Sequence, residues 1–251
     1  MSEALPIFAL HGWGMNAAVF DSLRNAFAGR EFIAVDLPGH GRRHGEPLGS
    51  ALEPLVREVL AQAPPRAVWL GWSLGGMLAL AAAAAAPERV AGLVTVVASP
   101  SFVARPDWPA GMARENLVRM AAQLRADPVQ TVSDFLTLQV LSSRSGRVTL
   151  KHLKSALSAR GPADMEALGD GLKLLETLDL RPLLAALRTP LLAVAGARDR
   201  LVKPAAIRAL VAAVPGAEMA LFEAAAHAPF LSQRSEFVAR VDDFLCRREL
   251  P

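Results

Sequence analysis

Cysteine is nearly absent: Cys246 is the only one in 251 residues. No intrachain disulfide framework is available, and without clustered Cys and His at ligand spacing no structural zinc site is expected. A reducing, cytoplasmic compartment fits this usage. Charge is scarce as well, at 20% Asp, Glu, Lys and Arg against 52% hydrophobic residues, which excludes disorder and indicates a large buried core. The 27 Lys and Arg against 24 Asp and Glu leave a net +3, too small an excess to mark a nucleic-acid-binding protein. No basic segment precedes the first apolar run, which ends at His11, so no secretory signal is expected. There is no internal repeat, and the length suits one elaborated domain.

Residues 67–87 carry no charge at all, a run long enough to span a membrane. Gly71, Ser73, Gly75 and Gly76 interrupt it, with aromatic and β-branched residues before them and alanines after. That order predicts a buried strand, a sharp turn and a buried helix, and excludes a membrane span.

Similar apolar runs at residues 6–12, 32–36, 67–71, 90–99, 190–196 and 218–222 read as buried strands. Helical patterns lie between most of them, at 17–28, 49–63, 74–86 and 204–214, and a last one at 235–248 has Ser235 as its expected cap. Phe237, Val241, Phe244 and Leu245 form its apolar stripe. The alternation predicts an α/β fold, a mostly parallel sheet with helices on both faces. It breaks between about 101 and 190, where helical segments separated by Pro and Gly predict an inserted helical lid. The expected division is core at 1–104, lid at 105–185 and core again at 186–251.

Gly71-Trp72-Ser73-Leu74-Gly75 follows a predicted strand and opens a predicted helix, the setting of a nucleophile elbow. A serine there needs small neighbours, because its backbone turns sharply against adjacent chains. The phosphate-cradling alternatives, GxGxxG and the P-loop pattern, are both missing. A serine hydroxyl also needs a histidine base and an orienting carboxylate. Of the histidines after Ser73, His152 falls in the insertion, whereas His227 follows the last predicted strand and is the expected base. Asp199, after the preceding strand, is preferred over Asp179, which lies at the end of the insertion. His11-Gly12-Trp13-Gly14 ends the first strand, so the backbone N–H groups of Trp13 and Leu74 are the expected oxyanion donors. His11 and His40 are expected to support turns.

Together HGWG, DLPGHG, GWSLGG, the GxxD after a strand and the late histidine resemble the α/β-hydrolase superfamily. More narrowly, HGWGMNAAVF, PERVAGLVTV, ASPSFVARPDWP, FLTLQ, LKLLETLDLR and AAHAPFLS resemble the pimeloyl-acyl-carrier-protein methyl ester esterases of biotin synthesis. The resemblance implies an α/β-hydrolase fold and serine-esterase activity with Ser73 as nucleophile, Asp199 as acid and His227 as base. Trp13 and Leu74 then serve the oxyanion and substrate, and Phe135, Leu136, Thr137, Leu138 and Gln139 line the acyl channel. It implies no metal or organic cofactor, a monomer, and acyl-carrier protein as the partner bearing the substrate. Relatives carry an antiparallel first strand or hairpin before HGWG, so a shorter sheet edge is expected here. Relatives also place lid arginines where this chain has Gln130 and Asp134.

Residues 140–160 contain Arg144, Arg147, Lys151, Lys154 and Arg160 and no acidic residue. The first four recur at spacings of three and four, which predicts one basic helix face beside a stripe of Leu150, Leu153 and Leu157. Such a face is often merely solvated; here Arg144, Arg147, Lys151 and Lys154 are expected to dock the carrier protein. The competing readings are a general short-acyl esterase or C–C bond hydrolase with the same triad, and a non-catalytic ligand-binding protein.

Overall fold

The computed structural model describes residues 4–250. Six strands form one sheet in the order β2-β1-β3-β4-β5-β6, every pair parallel. They are β1 (Ile7–Leu10), β2 (Phe32–Val35), β3 (Ala67–Trp72), β4 (Val90–Val96), β5 (Leu191–Gly196) and β6 (Glu218–Phe222). Every residue of β1, β3, β4 and β5 is buried, which is why those segments are continuously apolar: helices cover both faces of the sheet. The four-residue β2 forms one edge, with no antiparallel strand beyond it among the described residues.

The register places Leu10 beside Gly71, Gly71 beside Thr95, Val96 beside Val194, and Gly196 beside Phe222. The strands therefore end nearly level, and the turns after β1, β3, β5 and β6 emerge along one carboxyl edge. In open parallel sheets that edge is where sites are built.

Helix α1 spans Leu52–Gln62 and α2 spans Leu74–Ala85. Helix α2 is buried on all sides from Leu74 to Ala83, so the uncharged stretch at 67–87 is a strand, a turn and a core helix. Among the described residues no helix is long and apolar enough to cross a membrane. Four longer helices fill the chain between β4 and β5: α3 (Arg114–Ala126), α4 (Pro128–Val140), α5 (Gly146–Arg160) and α6 (Met165–Thr177). The short α7 (Arg181–Leu184) leads into β5, and α8 (Pro204–Ala213), the short α9 (Pro229–Ser232) and α10 (Arg234–Arg247) complete the chain. Phe237, Val241, Phe244 and Leu245 are the buried stripe of α10.

Four sequence expectations need correction. Residues 17–28 are not an α-helix; Ala17–Leu23 is 3-10. Four consecutive residues, Ala17 to Phe20, are buried together with Leu23, and the three-residue repeat stacks Phe20 and Leu23 on one side. Helix α1 starts three residues late, because Gly49 has φ +71° and Ala51 is extended. Gln233, not Ser235, precedes α10, since Phe237 N–H already donates to Gln233 O at 2.9 Å. Finally, β4 stops at Val96, because the buried Val97 turns to φ +46°. That is a costly conformation for a β-branched residue, and it lies directly beside the turn described next.

Candidate active site

Ser73 occupies the junction of β3 and α2 at φ +55°, ψ −117°, a region that side chains other than glycine seldom enter. It is held by Ser73 N–H to Val96 O at 2.9 Å and by Gly76 N–H to Ser73 O at 2.9 Å. The flanking glycines are required by space: a Cβ on Gly75 would stand 2.3 Å from Leu10 O, and one on Gly71 only 2.4 Å from Gly75 O. The turn therefore presses against the end of β1, and a Cβ on Gly12 would lie 3.2 Å from that of Ser73.

Asp199 sits in the turn after β5 and is buried. Its Oδ1 accepts the backbone N–H groups of Leu201 at 2.8 Å and Val202 at 3.0 Å, which fixes the carboxylate plane. Its Oδ2 lies 2.6 Å from His227 Nδ1. With Nδ1 donating to the carboxylate, the neutral imidazole keeps its lone pair on Nε2. That buried nitrogen has no hydrogen-bond partner among the described residues. Three contacts set the His227 backbone: Trp72 Nε1–H donates to its carbonyl at 2.7 Å, its N–H donates to Gln139 O at 3.0 Å, and Gly196 admits the neighbouring turn. A Cβ on Gly196 would stand 2.0 Å from Ala226 O. Asp179 is committed elsewhere, to Arg181 at 2.7 Å, and His152 is exposed on α5.

The backbone N–H groups of Trp13 and Leu74 donate to no other group among the described residues, although both residues are buried. Buried unpaired donors are uncommon, and a pair flanking a serine suits a developing oxyanion. The Trp13 ring is fixed by the insertion: Nε1–H donates to Leu168 O at 2.8 Å, and Phe135 meets it edge-on at 4.9 Å. Trp13→Phe removes the indole bond to Leu168 O, a loss of roughly 0.5–1.5 kcal/mol. Because the donating backbone N–H remains, kcat is expected to fall by less than about tenfold while the melting temperature drops. Steady-state kinetics beside a thermal melt separate the two effects.

His11 and His40 lie behind the site in supporting positions. Leu37 N–H donates to His11 Nε2 at 3.0 Å, so Nδ1 carries the proton and reaches Gly12 O at 2.9 Å. Burial, with the neighbouring His40 next, pushes the His11 pKa down to about 3. Burial also lowers that of His40. Sequence reasoning missed what surrounds them. Asp36 Oδ1 accepts Ala17 N–H at 2.7 Å, and Oδ2 accepts Arg42 N–H at 3.0 Å and Arg160 Nη1 at 2.8 Å. Burial raises the Asp36 pKa, but these bonds outweigh it and hold the carboxyl below its ordinary value. Arg160 thus pairs with the buried Asp36 and joins the end of α5 to the core, apart from the basic surface.

The other insertion residues divide by helical phase. On α4, Phe135, Leu136 and Gln139 are buried, whereas Thr137 is exposed with its hydroxyl bonded to Ser133 O at 2.9 Å. The expectation that all five residues from Phe135 to Gln139 line one channel is therefore corrected for the exposed Thr137 and for Leu136, which borders a cavity on the opposite side of α4, since 3.6 residues per turn cannot point five successive side chains one way. Leu138 and Phe135 border a cleft of about 330 Å³ that also meets Phe102, Leu117 and Leu201. Leu201 adjoins the carboxylate turn, so this cleft abuts the site. Arg144 is exposed but precedes α5, so the single basic helix face is corrected to Arg147, Lys151 and Lys154. Gln130 and Asp134 are exposed on α4 and bond each other at 2.7 Å.

Residues 7–241 match the sequence profile of the alpha/beta hydrolase family. A pimeloyl-[acyl-carrier protein] methyl ester esterase of Serratia marcescens is 42% identical over 237 residues, 94% of this chain and 92% of that protein. One so named in Klebsiella pneumoniae is 45% identical over 230 residues, 91% and 88% of the two chains. In fold, the chain is similar to an esterase from Exiguobacterium antarcticum, with TM-score 0.87 at 20% identity over 98% of this chain and 93% of that one. It is also similar to an enol-lactonase from Burkholderia xenovorans, with TM-score 0.80 at 21% identity over 98% and 92%.

Proposed function

The chain belongs to the α/β-hydrolase family, and from that premise we propose that it is a serine carboxylesterase that cleaves the methyl ester of pimeloyl-acyl-carrier protein. The substrate assignment rests on the relatives at 42% and 45% identity that carry this name along nearly their whole length. The catalytic assignment rests on one observation above the rest. Asp199 and His227 meet at 2.6 Å on the same edge of the sheet as the strained Ser73 turn, leaving Nε2 of the imidazole unengaged.

In this reading His227 Nε2 takes the Ser73 hydroxyl proton as Oγ attacks the ester carbonyl. The carbonyl oxygen becomes an oxyanion received by the N–H groups of Trp13 and Leu74, each such donor contributing about 3 kcal/mol. The imidazolium, held and stabilised by Asp199, returns the proton to the departing methoxide, and methanol leaves. Water, deprotonated by the same nitrogen, then releases the pimeloyl carboxylate and restores Ser73. Residues 105–185 act as a lid, with Phe135, Leu138 and Gln139 toward the acyl chain. The carrier protein docks on Arg147 and Lys151, with Arg144 and Lys154 at the margins. A cytoplasmic setting accords with the lone, exposed Cys246.

The deciding experiment compares turnover of carrier-bound pimeloyl methyl ester with that of a free short-chain ester. A clear advantage in kcat/KM for the carrier-bound ester supports the reading, and equal values reduce it to a general esterase. For docking, reversing both Arg147 and Lys151 to Glu is expected to raise KM for the carrier-bound ester roughly tenfold at low salt, with little effect on the free ester. Equal changes on both substrates place docking elsewhere.

A further inference from the structure

Helix α4 separates two cavities. One side carries Thr131, Asp134, Phe135 and Leu138, at spacings of three and four, and faces the cleft that reaches Leu201 beside the Asp199 turn. The other carries Val129, Val132, Ser133 and Leu136 with the same spacing, and faces a second cavity of about 420 Å³ enclosed with α5 and α6. The size suits a small organic ligand, for which pockets of roughly 300–1,000 Å³ are usual.

Its chemistry is uneven in an informative way. The floor is apolar and buried: Leu136 and Leu168 are 1% and 2% exposed, and Val132 is 9% exposed. The lip is apolar and open, with Val129 78% and Met165 42% exposed, more than solvation favours for such side chains. One charged residue lines the cavity, Lys154, and it has no acidic partner among the described residues; no Asp or Glu lines the space. Ser158, one turn further along α5, lines the same rim and adds a hydroxyl beside the ammonium. A cation and a hydroxyl at the mouth of an apolar pocket complement an anionic head on an aliphatic tail.

We propose that this cavity is a binding site for a medium-chain aliphatic monocarboxylate, its carboxylate on Lys154 and Ser158 and its chain against Val132, Leu136, Leu157 and Leu168. The site lies across α4 from the cleft that Phe135, Leu138 and Leu201 line, and it does not depend on the esterase reading. It is nevertheless joined to the Trp13 loop through one wall. Leu168 O holds the Trp13 indole, and a Cβ on Gly14 would meet Leu168 at 3.5 Å and Val132 at 3.9 Å.

The test is equilibrium dialysis of radiolabelled octanoate against the intact protein and three variants, each checked by circular dichroism. Saturable binding of one octanoate per chain is expected, weakened about tenfold in Lys154→Gln by loss of the charge-assisted contact. Leu157→Trp, which fills the cavity, is expected to abolish binding, and Leu138→Trp, on the opposite cleft, to leave it unchanged. Because Lys154 is exposed, Lys154→Gln stays interpretable even if Leu157→Trp does not fold. Absence of saturable binding overturns the proposal. So does binding that is lost in Leu138→Trp and retained in Lys154→Gln, which places octanoate in the cleft on the opposite side of α4.

Discussion

Ser73→Ala is expected to lower ester turnover by about 10⁴-fold or more, the scale on which loss of a triad nucleophile acts in serine hydrolases. The residue supplies the attacking oxygen, and no neighbouring hydroxyl in the Gly71–Gly75 turn can substitute for it. Stability should barely change. The turn is held by backbone bonds to Val96 and from Gly76, which alanine preserves, and alanine meets the same backbone strain at φ +55° that serine does. A fluorophosphonate probe should label the parent protein and leave the variant unlabelled while both melt together. Turnover within tenfold of the parent, in a variant with an unchanged melt, would remove Ser73 from the mechanism, whereas a parent protein that the probe fails to label would favour the binding-protein reading. Asp199→Asn should follow closely, at about 10⁴-fold, because an amide opposite Nδ1 favours the wrong imidazole tautomer.

The parts of this molecule that were legible in the sequence are those encoded locally. The turn at Ser73 announces itself because its glycines are demanded by approaches of 2.3–2.5 Å and lie between a strand and a helix with different periodicities. Asp199 and His227 were found by order alone, since each follows a strand whose carboxyl end shares the edge with β3. What stayed hidden depends on tertiary phase. Arg160 looks like the fifth member of a basic run, yet it reaches Asp36, 124 residues away, and is largely shielded from solvent there. Thr137 sat inside a motif assigned to the channel, but helical rotation turns it outward. Arg144 fits the charge spacing of α5 and lies outside the helix, because the chain turns between Ser143 and Gly146, where Gly146 N–H donates to Ser143 O at 3.2 Å. The two faces of α4 require knowing which helices flank it, and no single-segment pattern contains that information.

Acid should unfold this protein earlier than its carboxylates alone require. An unfolded histidine titrates near pH 6.5, whereas His11 in the fold is fully buried, donates from Nδ1, accepts at Nε2 and has its pKa pushed down to about 3. Below pH 6.5 the unfolded chain therefore binds a proton that the folded chain refuses, so stability is complete above that pH and declines as pH falls toward 3. The slope approaches about 1.4 kcal/mol per pH unit, or roughly 2–3 kcal/mol between pH 6.5 and 4.5 from His11 alone. His40, its ring 5.1 Å away and its pKa also lowered by burial, acts in the same direction. Asp36 contributes lower down: its folded pKa is depressed, so its stabilisation is present above the unfolded value near 4 and is lost as pH falls through the folded one. Urea midpoints at pH 7.5, 6.0 and 5.0 should thus fall progressively, before any carboxylate titrates appreciably. His40→Phe, which keeps a ring and deletes a titrating group, should start from lower stability but show a shallower slope. Midpoints that stay level from pH 7.5 to 5.0 would mean that the imidazoles behind the active site are protonated in the fold, and the tautomer assigned to His11 by Leu37 N–H would then be wrong.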